Sequence, residues 1–89
     1  MKRIHIIVKG SVQGVFFRSN TKETAIKLGL KGYVKNLDGG SVEIVAEGNE
    51  DEINELIEFC KKGPGSAQVE DVEIEFEKPK IEFKSFEIK

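Results

Sequence analysis

Gly10-Ser-Val-Gln-Gly-Val-Phe-Phe-Arg18, GSVQGVFFR, sits where the residue pattern changes from the period of a strand to that of a helix. Before it, in RIHIIVKG, Ile4, Ile6 and Val8 alternate with Arg3, His5 and Ile7, the pattern of a strand with one buried face. After it, Phe17, Thr21, Thr24/Ala25 and Leu28 fall on one helical face, and Gly29 supplies a stop. Such a loop leaves several backbone N–H groups without partners at the helix start. Gly10 and Gly14 allow tight backbone angles and let a ligand approach with no Cβ in the way. The result is a nest of donors suited to phosphate or carboxylate. Arg18 falls in the first helical turn, where a cation is disfavoured by the helix dipole. An anion held between guanidinium and dipole removes that conflict. The plainer alternative is that Arg18 reaches solvent or pairs with Glu23.

Outward from this junction, LKGYVKNL and SVEIVAEG read as two strands joined by a turn at Asp38–Gly40, which makes a hairpin. A second helix starts at Asn49, a good N-cap with Glu52 three residues on, and carries Ile53, Leu56, Ile57 and Cys60 on one face. KGPGS ends it. QVEDVEIEFEK alternates Val69 and then Val72, Ile74 and Phe76 with acidic neighbours, and the shift of phase near Asp71 marks a bulge. FKSFEIK makes a last short strand.

The order β-α-β-β-α-β plus a terminal strand predicts an α+β, ferredoxin-like domain over residues 1–89. Its sheet is antiparallel, with both helices on one face and a short C-terminal strand. The first two strands, linked by a helical crossover, run parallel and finish at the same edge. The loop of residues 10–17 and the end of the second strand at Asn36 therefore meet there, where open sheets tend to hold ligands. Asn36 reads either as turn chemistry, capping its own backbone, or as an amide that orients a water beside a bound anion. His5 is expected to be exposed, Cys60 to be core, and Tyr33 and Phe16 to serve packing or a pocket wall.

The totals narrow the function. With one cysteine in 89 residues there is no internal disulfide and no metal-ligand spacing. No apolar run approaches a membrane span and no secretion signal is visible, so the cytoplasm is the expected compartment. The net charge of −2 conceals a split. Residues 1–36 hold eight Lys or Arg against Glu23, giving +7; residues 37–89 hold six Lys against fifteen acids, giving −9. Either these charges interleave in the folded protein or they leave a positive field at an anion site. RNA binding on the sheet is disfavoured, because SVEIVAEG has no stacking aromatics and the fourth strand is acidic. An anion nest, an arginine and an amide, with no evident general base, nucleophile pair or metal cluster, suit an activated substrate. A mixed carboxylic–phosphoric anhydride is such a substrate, whereas a phosphate monoester demands more.

These residues resemble the acylphosphatases. Val8–Arg18, VKGSVQGVFFR, fits that family's V-x-G-x-V-Q-G-V-x-[FY]-R. Gly32–Gly48, GYVKNLDGGSVEIVAEG, fits G-[FYW]-x-x-N-x3-G-x-V-x5-G with its spacing intact. Gly63–Ile74 is similar to the G-P-x-x-A-x-V segment, and the closing FEI to the family's last strand. The resemblance implies hydrolysis of acyl phosphates to a carboxylate and inorganic phosphate without metal or cofactor. It implies that Arg18 and the backbone amides of Gln13, Gly14, Val15, Phe16, Phe17 and Arg18 bind the phosphate, and that Asn36 orients the attacking water. A monomer is expected, with neither nucleic acid nor membrane as partner. Leu37 departs from members that carry a hydroxyl residue beside this asparagine, so what holds the amide in place is open. The competing readings are a non-catalytic anion-binding module and the acylphosphatase-like domain of larger carbamoyl-transfer proteins, although nothing in these residues suggests a longer chain.

Overall fold

The computed structural model describes Met1–Lys89, and its elements follow from the periodicities above. Strand β1 (Lys2–Ser11) leads through the loop into helix α1 (Phe17–Lys27). Strands β2 (Lys31–Asn36) and β3 (Val42–Gly48) form the hairpin, followed by helix α2 (Glu50–Lys62), strand β4 (Gln68–Glu77) and strand β5 (Phe86–Ile88). The sheet order is β4-β1-β3-β2-β5. β1 pairs antiparallel with β3 and β4, and β2 antiparallel with β3, so β1 and β2 run parallel, as the crossover requires. β5 adds one parallel pair at the outer edge of β2, with Val34 opposite Ile88.

One face of the sheet is the core. Ile4, Ile6 and Val8 of β1, Val34 of β2 and Val42 and Ile44 of β3 are fully buried against Phe17, Ala25, Ile53, Leu56 and Cys60 of the helices. Each such aliphatic side chain contributes about 1.5–3 kcal/mol through burial. Phe17 and Phe59 close the helix pair, with ring centroids 6.1 Å apart. The bulge lies where expected: Lys9 pairs with Asp71 but Gly10 with Val69, leaving Glu70 as the extra residue. Local expectations at α2 and β4 are revised. Asn49 is the N-cap of α2, but its side chain makes no capping bond; Glu50, Asp51 and Glu52 in the first turn provide the negative charge that end favours. Ile74 and Phe76 are partly open to solvent, at 36% and 56%, because β4 is an edge strand.

On the helix-free face, charged residues are organised rather than simply solvated. The segment 78–85 crosses this face to join the two edge strands. There Phe83 packs edge-on against Tyr33 (6.0 Å) and under the guanidinium of Arg3 (5.2 Å). Arg3 is buried and pairs with Glu47 (3.0 Å), Glu77 (2.9 Å) and Glu82 (2.9 Å), while the backbone N–H groups of Lys80 and Ile81 donate to Glu47. His5 is half-buried rather than exposed, with Nε2 2.8 Å from Glu43 Oε2. Much of the charge split therefore interleaves across strands.

Candidate active site

The loop after β1 is held open by its own backbone. Gly14 adopts φ 75° and Phe16 φ 62°, a left-handed conformation that is uncommon for an aromatic residue. Phe16 is the N-cap of α1, with no side-chain cap. Its carbonyl instead collects three donors: Ser19 Oγ (3.1 Å), Asn20 Nδ2 (2.9 Å) and the Asn20 backbone N–H (3.1 Å). That N–H is the first of the loop and helix start to find a partner; from Gln13 to Ser19 no backbone N–H donates to a protein acceptor. Unpaired donors at a helix start carry partial positive charge, and α1 has no acidic residue in its first turn.

Arg18 stands beside these donors, half-buried, and enters no ion pair: Glu23, the candidate partner, is bonded to Lys27 at 3.2 Å instead. A cavity of about 310 Å3 opens over the loop, lined by Gly14, Phe16, Phe17, Arg18, Ser19 and, from the far edge of the sheet, Ile88. Of the two aromatics considered for a wall, Phe16 takes that place and is 80% exposed, whereas Tyr33 lies on the opposite face of the sheet, bonded to Glu43. Burial, together with the Glu43 carboxylate, pushes its hydroxyl up to about 12.

Asn36 ends β2 opposite Val42. Its amide Oδ1 is buried without a hydrogen-bond partner, so the turn-capping role is not seen, and Leu37 supplies no side-chain bond to fix it. An unpaired buried polar atom costs about 1–3 kcal/mol, and such atoms are rare enough to demand an explanation. Asn36 does not line the cavity beside Arg18; the link between the two regions is Gln13. Its side-chain amide donates to the carbonyl oxygens of Leu37 (2.9 Å) and Ser41 (2.8 Å), bonding the loop to both ends of the β2–β3 turn. The sequence pointed to Gln13 only for its backbone. A lone amide among small and apolar residues was the available signal for a side-chain role.

The two long motifs thus converge at one edge of the sheet, and the whole chain matches known proteins in the same way. The acylphosphatase family model matches residues 4–88. The chain belongs to the acylphosphatase family. It is 47% identical to an acylphosphatase of Pyrobaculum aerophilum over 89 residues, covering 99% of this chain and 94% of that one. The crystal structure of acylphosphatase from Bacillus subtilis superposes with a TM-score of 0.95 at 39% identity, covering 99% of this chain and 98% of that chain. The fold also matches part of full-length HypF in its phosphate- and nucleotide-bound form (TM-score 0.89, 34% identity), where it covers 98% of this chain but only 11% of the other. Acylphosphatases hydrolyse acyl phosphates, and this chain is a hydrolase of that family with the ferredoxin-like fold. No helix is long and apolar enough to cross a membrane.

Proposed function

We propose that Arg18 and the backbone amides of Gln13–Arg18 bind the phosphoryl group of an acyl phosphate, and that the side-chain amide of Asn36 orients the water that attacks phosphorus. The observation that carries this reading is the run of unpartnered N–H groups beside an arginine that no carboxylate neutralises. Such an arrangement supplies charge where a transferring phosphoryl group develops it, with no reorganisation at the moment of reaction.

The step needs little else. The water oxygen forms a bond to phosphorus in line with the departing acyl oxygen, and the phosphorus–acyl oxygen bond breaks with its electron pair leaving on the carboxylate. Both water protons end on the phosphate product, one of them taken by the substrate's own phosphoryl oxygens. A carboxylate is a weak base and leaves unprotonated, so a protein general acid is dispensable. The reading includes no metal or cofactor. It also takes residues 1–89 as one acylphosphatase-like domain, monomeric and cytoplasmic, which acts on a small acyl phosphate without nucleic acid or membrane.

The test is phosphate release from benzoyl phosphate in EDTA, with Asn36→Ala in parallel. The expected result is rapid turnover by the parent and almost none by a folded variant. Substantial residual hydrolysis in folded Asn36→Ala removes its assigned role. A folded parent that is inactive, but protected from thermal unfolding by inorganic phosphate, turns the loop into a binding site only.

A further inference from the structure

The start of α1 is capped in reverse. At an ordinary helix start a polar N-cap side chain bonds a free backbone N–H of the first turn and so removes it from use. The N-cap here is Phe16, which has no polar side-chain atom to offer, and the N–H groups of Phe17, Arg18 and Ser19 stay free. The polar side chains lie three and four residues later and bond backwards. Ser19 Oγ (3.1 Å) and Asn20 Nδ2 (2.9 Å) both donate to the Phe16 carbonyl oxygen, in addition to the Asn20 backbone N–H (3.1 Å) that helix geometry supplies.

That carbonyl belongs to a strained residue. Phe16 holds a left-handed conformation (φ 62°), which a residue with a side chain keeps only where its surroundings over-determine it. No peptide bond in the chain is cis, and a trans peptide group points its C=O and its N–H in opposite directions. The donors that draw the Phe16 oxygen along α1 therefore turn the Phe17 N–H the other way, out of the helix start and toward the loop. The side chains of Ser19 and Asn20 thus fix the aim of the first donor of the helix.

We propose that Ser19 and Asn20 are positioning residues for phosphate binding: by clamping the Phe16 carbonyl they keep the N–H groups at the start of α1 aimed at the anion. The inference rests on the phosphate-site reading above and adds two residues that lie beyond the end of the Val8–Arg18 motif. Neither is placed to contribute much to folding. Ser19 is exposed and Asn20 half-buried, and a hydrogen bond that water can replace adds little to stability. Donors fixed before the anion arrives bind it better, because less order has to be imposed on binding. Ser19 also lines the cavity beside Arg18, whereas Asn20 does not, so a loss of affinity in Asn20→Ala passes through Phe16.

The experiment measures the inhibition constant of inorganic phosphate, kcat/KM for benzoyl phosphate and Tm in the parent, Ser19→Ala, Asn20→Ala and Ser19→Thr. The inhibition constant should rise about threefold or more in each alanine variant. The value of kcat/KM should fall by at least about the same factor, with Tm close to that of the parent. Ser19→Thr keeps the hydroxyl donor and should recover most of the lost affinity. Amide NMR adds a readout that a merely structural role does not move: at saturating phosphate the Phe17 N–H should shift strongly in the parent and less in Asn20→Ala. Folded alanine variants with parental inhibition constants overturn the clamp, as does a lowered Tm with phosphate affinity unchanged. A loss in Ser19→Ala alone reports a direct hydroxyl contact and overturns it too. A parent that neither binds phosphate nor hydrolyses benzoyl phosphate overturns the phosphate-site reading, and the clamp with it.

Discussion

The side-chain Nε2 of Gln13 donates to the carbonyl oxygen of Ser41 at 2.8 Å, and the same nitrogen reaches Leu37 at 2.9 Å. Gln13 thereby couples a loop that presents backbone donors to the hairpin that presents Asn36. Both carbonyls keep a second donor in its absence, since the Leu37 N–H bonds to Ser41 and the Gly40 N–H to Leu37. Gln13→Ala should therefore cost little stability, about 1–2 kcal/mol for two hydrogen bonds. With Asn36 in the role proposed above, turnover should suffer more, because a small misplacement of a positioning group can cost about 100-fold. We expect kcat to fall at least tenfold while phosphate still protects the variant from thermal unfolding. Equal losses in kcat and in phosphate protection would mean that Gln13 supports only the loop.

The two glycines of the loop motif serve different ends, and alanine separates them. A Cβ on Gly10, at φ 133°, would stand 2.1 Å from the Gln68 carbonyl oxygen, inside the β1–β4 bulge. Gly10→Ala should destabilise the protein by at least about 2–3 kcal/mol. A Cβ on Gly14, which lines the cavity beside Arg18, meets nothing within 4 Å. Its φ of 75° costs alanine about 1–2 kcal/mol, a drop in Tm of roughly 4–8 °C per kcal/mol for a domain this small. Gly14→Ala should thus remain folded yet lose tenfold or more in phosphate affinity. Thermal melts and phosphate inhibition, measured on both variants, check the contrast.

Acid sensitivity should centre on the helix-free face. Burial raises the affinity of Glu47 for a proton, but the N–H groups of Lys80 and Ile81 and the Arg3 guanidinium outweigh it and hold the carboxyl below its ordinary range. Glu43 is shifted the same way, by His5 and Tyr33 against its own burial. The unfolded chain then binds more protons than the native one as pH falls past the ordinary glutamate value near about 4.3. Stability present above that value is lost below it. Urea midpoints should decline from roughly pH 5 to pH 3, and Glu47→Gln should flatten the decline while lowering stability at neutral pH by about 3 kcal/mol. An unchanged slope in Glu47→Gln would place the acid sensitivity elsewhere.

Sequence periodicity was enough for the elements whose apolar spacing is regular, and even for the bulge, because the phase slip around Glu70 is written in the order of Val69 and Val72. The meeting of the loop with the end of β2 followed from the helical crossover, which makes β1 and β2 parallel. What could not be read was whatever depends on partners distant in the chain. Asn49 has the right identity for a cap yet makes no capping bond. His5 alternates as an exposed residue would, but it meets Glu43 across the sheet. Ile88 looked like the end of a strand, and only the parallel pairing with β2 brings it beside Arg18.

Cys60 offers a probe of core integrity that is independent of catalysis. It lies on the inner face of α2, fully buried with Ile53, Leu56 and Ile57, and burial pushes its thiol up to about 12. At neutral pH almost no thiolate exists, and a reagent must wait for the helix to open. Ellman's reagent should therefore leave the native protein unmodified over hours and titrate one thiol at once in denaturant. Iodoacetamide should likewise leave acyl phosphate hydrolysis unaffected. Cys60→Ser should lower stability by about 1–3 kcal/mol, since a hydroxyl there is desolvated among apolar neighbours, with kcat/KM at the parental value. Rapid labelling of a protein that keeps its native circular dichroism would show that α2 does not pack on the sheet through this face.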